Sequence, residues 1–238
     1  MLFLFGSDVA LSSKRRLVYE RQDTFRETLV TTLFFDLDGT LIDPAEGIIN
    51  CLHHAFDTLG IKDVPEDLHW CIGPPLHDSF AILVGPDRVD EALAAYRQRY
   101  GELGLYEHVV YEGIPDLLAD LNRRGYQLCL ATSKVKVFAD RILTHFNLAQ
   151  HFQYAFGSEL DGSLSNKAEL LAHGLAVTGV SAADAVMIGD RKFDMIGASA
   201  NDIATIGVTW GYGSVEELEQ AGAGRLVASV ADLAGLFG

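Results

Sequence analysis

Four aspartates, a threonine and a lysine stand where their side chains can act on one substrate. Asp36 and Asp38 sit two apart in Asp36-Leu37-Asp38-Gly39-Thr40, Thr132-Ser133 and Lys167 follow, and Asp190 and Asp194 lie four apart after Gly189. Carboxylates gathered around one ammonium are costly unless a further positive charge joins them. A hard divalent cation with oxygen ligands, most simply Mg²⁺, supplies it, and Mg²⁺ is usually held by one or two carboxylates with waters and a substrate phosphate. Hydrolysis of a phosphate monoester needs accelerations on the order of 10²¹. No single group gives that; a carboxylate nucleophile, a positioned acid, a metal and a lysine acting together do.

The elements that must position these groups alternate along the chain. Strand-like runs cover Leu33–Asp36, Tyr126–Thr132, Tyr154–Gly157, Ala185–Asp190, Ile203–Trp210 and Arg225–Ser229. Helical patterns cover Ile114–Arg124, with Pro115 near its start and Gly125 past its end, then Val135–Asn147, Lys167–Thr178 and Phe193–Ala200. Ser214 and Glu217 form a capping-box pattern for a helix running to about Ala221. Short apolar strands alternating with helices predict a parallel sheet covered on both faces, an α/β fold. Ligands of such sheets bind at the carboxyl ends of the strands, where Asp36, Thr132 and Asp190 fall. Residues 46–110 break the alternation and read as several helices, around Ile48–Leu59, Pro75–Val84 and Val89–Leu103, inserted after the first strand. The expected division is therefore a core of residues 32–45 and 111–238 with a helical insert at 46–110.

Residues 1–31 stand apart: five basic residues against four acids and no sustained apolar period. They read as a loosely docked or disordered N-terminal extension. The chain of 238 residues is 49% hydrophobic and carries a net charge of −15. That charge argues against a nucleic acid polymer as partner, since phosphate backbones are held by Lys and Arg. No apolar run approaches the ~20 residues of a membrane helix, and no secretory leader is read in the opening Met-Leu-Phe-Leu-Phe. Cys51, Cys71 and Cys129 are odd in number and unpaired in spacing, as in a reducing compartment. The reading is a cytoplasmic protein, monomer or homodimer, acting on a small phosphorylated metabolite.

Asp-Leu-Asp-Gly-Thr at a strand end, a later Thr after an apolar strand, a Lys, then Gly-Asp-x-x-x-Asp resembles the haloacid dehalogenase superfamily, with the motifs in the family's order from residue 32 to about 210. The resemblance implies a Rossmann-like three-layer core with an α-helical cap domain, as in its phosphoglycolate phosphatase and 5′-nucleotidase branch. Ile72-Gly73-Pro74-Pro75-Leu76, Tyr111-Glu112-Gly113-Ile114-Pro115 and Gly157-Ser158-Glu159-Leu160-Asp161-Gly162 also match, the last being similar to family 5′-nucleotidases. It further implies roles: Asp36 as nucleophile; Asp38 as acid, then base; Thr132, with Ser133, on the transferring phosphoryl; Lys167 neutralising it. The metal would take a carboxylate oxygen of Asp36, the backbone carbonyl of Asp38 and the carboxylate of Asp190, with Asp194 behind or through water. An acid at position 38 separates phosphatases from dehalogenases, whose halide leaving group needs no proton. A sugar-phosphate mutase, or a catalytically silent ligand-binding relative, are the alternatives.

Substrate choice is expected in the insert. Residues 46–111 hold eleven acids and four bases, so a second anionic group must be met locally, by Arg97 or Arg99. Alternatively, Phe56, Phe80, Tyr96 or Tyr100 would stack a base. Lys134, Lys136, Arg191 and Lys192 read as a solvated face.

Overall fold

The structure, a computed structural model, describes residues 30–237. The expected N-terminal extension lies outside the described residues except for positions 30 and 31. These are tied to the core: Val30 is buried, the Thr31 amide donates to the Asp184 carbonyl at 2.9 Å, and the Thr31 carbonyl accepts the Gln127 amide at 2.8 Å.

Strand β1 (Thr32–Phe35) leads into a tight turn and the two-residue strand β2 (Ile42–Asp43). Three helices follow, α1 (Ala45–Leu59), α2 (Leu76–Val84) and α3 (Val89–Glu102), before the equally short β3 (Val109–Val110). From there strand and helix alternate: α4 (Ile114–Arg123), β4 (Gln127–Val135), α5 (Lys136–His145), β5 (Tyr154–Ser158), α6 (Lys167–Thr178) and β6 (Ala185–Gly189). The chain closes with α7 (Lys192–Ser199), β7 (Ala204–Val208), α8 (Val215–Gln220), β8 (Arg225–Val227) and α9 (Val230–Leu236).

Six strands form one sheet in the order β5-β4-β1-β6-β7-β8, all pairs parallel. A parallel sheet needs helices on both faces, and the alternation of β1 shows how the sequence recruits them. Leu33 and Phe35 join the larger core with α4, α5 and the inserted helices, whereas Phe34 joins Leu170 and Leu171 of α6 and Ala198 of α7 on the other face. Helix ends follow local chemistry. Asn166 caps α6 through its side chain, and Ser214 and Ser229 do the same for α8 and α9. The capping box expected at Ser214 and Glu217 is half made. The serine accepts from the Glu217 amide, but the Glu217 carboxylate turns to Arg191 and the Lys192 amide.

One element escaped the sequence. β2 and β3 pair antiparallel, Ile42 opposite Val110 and Asp43 opposite Val109. The chain thus leaves for the helical insertion and returns from it side by side. The four aromatics read as base-stacking candidates are buried instead. Phe80 meets Tyr96 edge-on, Tyr96 stacks on Tyr100 at 5.4 Å, and Tyr100 meets Phe138 of α5 edge-on at 5.5 Å, so the row runs from the insertion to the core. The three cysteines are free and buried. Among the described residues no helix is long and apolar enough to cross a membrane.

Candidate active site

The carboxyl ends of the neighbouring strands β4, β1 and β6 bring Thr132, Asp36 and Asp190 to one edge. β1 ends at Phe35, and Asp36 keeps its place because its amide donates to the Ile188 carbonyl at 2.9 Å. The chain then makes a single turn, with the amides of Leu41 and Ile42 both donating to the Leu37 carbonyl. Gly39 sits in that turn at φ +77°, and a Cβ on it would fall 2.1 Å from Asp190 Oδ2. Both the backbone sign and the space require glycine. Gly39→Ala is therefore expected to displace Asp190, lowering both Tm and divalent-cation affinity. Thermal melts with and without Mg²⁺ check this, and an unchanged pair of melts would refute it.

Lys167 organises the cluster. Its ammonium donates to Asp36 Oδ1 at 3.0 Å and to the Ala131 carbonyl at 2.8 Å, and forms an ion pair with Asp194 Oδ1 at 2.7 Å. Its side chain is 4% exposed, so only these partners keep it charged. Burial opposes the charge, but Asp194 and Asp36 outweigh it and hold the ammonium protonated well above the usual lysine range. Lys167 opens α6, and beside it the β4–β5 ladder shifts register between Ala131 and Val135, the kind of irregularity common next to sites.

Asp190 is fully buried and gripped on both oxygens. The Thr40 hydroxyl donates to Oδ1 at 3.3 Å and the Tyr212 amide to Oδ2 at 2.8 Å. Asp194, in the first turn of α7, accepts the Arg191 amide on Oδ2 while Oδ1 faces Lys167. It thus serves its helix and the cluster together. Asp36, Asp190 and Asp194 present oxygens all within 4.8 Å of one another. Burial raises the Asp190 carboxyl well above its ordinary value, and Asp194 and Asp36 push it further. Burial likewise moves Asp194 up to about 6, against the pull of Lys167. Three carboxylates with one ammonium, two of them resisting ionisation, are a donor set for a hard divalent cation, and the residues fit Mg²⁺.

Asp38 does not join that group. Its Oδ2 pairs with Lys134 Nζ at 2.9 Å, leaving Oδ1 buried with no hydrogen-bond partner. Thr132 is buried beside the cluster's strand end, its hydroxyl accepting the Lys134 amide at 3.2 Å. Ser133 is exposed, and its carbonyl takes the Ser158 hydroxyl. Of the two arginines expected to meet substrate, Arg97 lies on an exposed position of α3. Arg99 forms a two-pronged ion pair with Glu107, at 2.7 and 2.9 Å, and also reaches Cys51 Sγ. That pair spends the guanidinium on holding the insertion together.

Two cations read as a solvated face are engaged. The Lys134 side chain is 9% exposed and bound to Asp38. Arg191 donates to the Ile72 carbonyl of the insertion at 2.6 Å and to Glu217 at 2.9 Å, bridging the Ile72-Gly73-Pro74 loop to α8. Lys136 instead pairs with Asp140 at the surface. Nothing in the sequence pattern marked Lys134 or Arg191, although both flank a motif residue. The loop after β7 adds further ties. Trp210 donates to the Thr40 carbonyl at 3.2 Å, and the Tyr212 hydroxyl donates to Asp43 beside the ribbon.

The chain is similar to known proteins in sequence and fold. The haloacid dehalogenase-like hydrolase family model matches residues 33–208. A 5′-nucleotidase of Pseudomonas aeruginosa is 48% identical over 190 residues, covering 78% of this chain and 86% of its own. The tyrosine-protein kinase PtkA of Mycobacterium tuberculosis is 41% identical over 190 residues, which span 79% of this chain and 65% of that protein. A crystal structure of a predicted phosphatase from Clostridium acetobutylicum superposes with a TM-score of 0.82 at 41% identity, covering 87% of this chain and 98% of that one. With its cluster of acids and lysine at the sheet edge and this degree of likeness, the chain belongs to the haloacid dehalogenase-like hydrolases and is a phosphatase of small phosphorylated substrates.

Proposed function

We propose that the protein is a Mg²⁺-dependent phosphomonoesterase working through a phospho-aspartate on Asp36, with 5′-nucleotides as its substrate class. The observation that carries the mechanism is the pairing of Lys167 with both Asp36 and Asp194 inside a three-carboxylate cluster, while Asp38 stands outside it on a partner of its own. Two carboxylates two residues apart are thereby given different tasks by different surroundings.

Asp36 is held by Lys167 through Oδ1, which leaves its other oxygen to attack phosphorus. The bond to the leaving oxygen breaks, and Asp38, which enters the cycle in its acid form with the proton on Oδ1, gives that oxygen the proton. A water then attacks the phosphorus of phospho-Asp36, Asp38 takes the water's proton, and the Asp36–phosphorus bond breaks to release phosphate. Lys167 keeps a positive charge beside the transferring group throughout, and the Thr132 hydroxyl at the adjoining strand end is placed to hydrogen-bond a phosphoryl oxygen. Asp36, Asp190 and the Asp38 carbonyl, together with Asp194, would hold Mg²⁺, which would supply charge neutralisation of the phosphoryl oxygens.

Residues 46–110 act as a cap, with the β2–β3 ribbon as its hinge. Closure expels bulk water and strengthens the charge interactions inside. The choice of 5′-nucleotides over phosphoglycolate is supported by the 48% identity to the Pseudomonas 5′-nucleotidase. Phosphate release from a panel of nucleoside 5′-monophosphates, phosphoglycolate and sugar phosphates, each with and without Mg²⁺, tests it. The expected result is Mg²⁺-dependent release with the highest kcat/KM on a nucleoside 5′-monophosphate. Preference for phosphoglycolate would overturn the substrate assignment, and turnover unaffected by chelation would overturn the metal.

A further inference from the structure

The roles assigned above leave Lys134 unused, yet it is the group that determines where Asp38 points. An ammonium taken out of water costs several kcal/mol unless it is paired, and Lys134 is 9% exposed. It meets Asp38 Oδ2 at 2.9 Å, donates to the Tyr100 hydroxyl, and lies 4.7 Å from the centre of the Tyr100 ring. These partners come from three places: Asp38 from the turn after β1, Lys134 from the end of β4, and Tyr100 from α3 of the helical insertion. An ammonium only donates, so the Tyr100 oxygen accepts from Lys134, and the same hydroxyl lies 3.3 Å from His108 Nε2. His108 is buried and lies next to β3, and burial moves its imidazole down to about 3. Contacts thus run without a break from His108 beside β3 through Tyr100 to Lys134 and Asp38.

The free end of that series of contacts is equally defined. Asp38 Oδ1 is buried and makes no hydrogen bond. Buried carboxylate oxygens are normally satisfied, and one left open at a reacting position is an oxygen waiting for a partner. With Oδ2 held by Lys134, Oδ1 is the atom left to exchange a proton with the substrate's leaving oxygen.

We propose that Lys134 is a positioning residue for proton transfer at the leaving group: it holds Asp38 by Oδ2, away from the Asp36–Asp190–Asp194 cluster, and is itself held by Tyr100. The insertion therefore contributes to the acid's aim as well as to enclosure, and the transfer geometry is complete only while the insertion is seated on the core. This rests on the phosphatase mechanism above with Asp38 as the acid.

The leaving group separates aim from architecture. A good leaving group needs no proton, so a misplaced acid costs little with 2,4-dinitrophenyl phosphate and much with an alkyl phosphate. Lys134→Met is expected to lower kcat about 10²-fold on an alkyl phosphomonoester, within the range of a lost acid–base contribution, and less than tenfold on 2,4-dinitrophenyl phosphate. Lys134→Arg, which keeps the charge and a donor, should recover part of the alkyl ester rate. Tyr100→Phe should show the same bias at smaller size. Asp38→Asn serves as the reference. If it shows the leaving-group bias while folded Lys134→Met loses both rates equally, or neither, the inference falls and the mechanism stands. An Asp38→Asn protein without bias overturns the acid assignment itself. Should Lys134→Met fail to fold, the Lys134→Arg and Tyr100→Phe pair decides on the same ratio.

Discussion

Asp36→Asn is expected to abolish turnover, with kcat down by roughly 10⁵–10⁶ as when a covalent nucleophile is removed. The amide keeps the size and the hydrogen-bonding edge of the carboxylate but lacks the charge and the nucleophilic oxygen. The change sits beside Lys167, 3.0 Å away, so it also removes one of that ammonium's two anionic partners. Asp194 remains to hold the lysine, and folding should survive. Phosphate release together with acid-quench trapping of radiolabelled phosphoenzyme checks the result. Wild-type protein should retain label and the variant none; a variant that keeps even a tenth of the activity would remove Asp36 from the nucleophile's role.

Lys167→Met should be nearly as damaging and should reach stability as well. It leaves Asp36 and Asp194 facing each other without a cation, and breaking a buried pair by deleting one partner costs about 3–5 kcal/mol. At roughly 2–4 °C per kcal/mol for a domain of this size, Tm should fall by roughly 6–20 °C in metal-free buffer. The loss depends on pH with a defined sign. Asp194 titrates near 6 in the fold against an ordinary value of 3.8, so the folded state binds the extra proton between those values. That contribution to stability is fully present below about pH 4 and disappears as pH rises through 6. Lys167 opposes the upward shift, so in its absence the folded carboxyl should titrate higher still. The raised lysine itself contributes a constant amount below its unfolded value of 10.5 and does not bend the curve between pH 5 and 8. The difference in Tm between wild type and Lys167→Met should therefore be larger at pH 8 than at pH 5, and Mg²⁺ should narrow it. A difference independent of pH would show that the lysine acts through packing rather than charge.

The sheet and its helices were legible because buried parallel strands are short continuous apolar runs and the helices carry their own stop and start signals. Leu33–Asp36 and Ala185–Asp190 were read to within one residue of the strands Thr32–Phe35 and Ala185–Gly189, and Lys167–Thr178 was read to the residue. The ribbon was not legible: two residues per strand offer no period. Nor was the fate of single cations. Lys134 is spelled like any surface lysine, and what turns it inward is the register shift of β4 together with a phenol from α3. Arg99 is occupied by Glu107, eight residues on across a 3₁₀ turn, a pairing that spacing alone does not single out. The aromatics carried a readable signal that pointed the other way. Tyr96 and Tyr100 are four apart, one turn along the same face of α3, which suits an interior stripe better than a stacking platform.

The strand order also fixes a timetable for synthesis. β1 lies at the middle of the sheet, with β4 on one side and β6 on the other, although it is the first of the six to leave the ribosome. Lys167 follows Asp36 by 131 residues, and Asp190 follows Thr40 by 150. At ~5–20 residues per second, the nascent Thr32–Phe35 segment waits roughly 8–30 s for its second neighbour. During that interval an apolar strand has an open edge, the condition that invites intermolecular pairing and chaperone capture. The helices of residues 45–102 emerge meanwhile and pack through contacts near in sequence, so the insertion can condense beside the waiting strand. The carboxylate cluster can form only after Asp190 and Asp194 have emerged, when four of the six strands have been made.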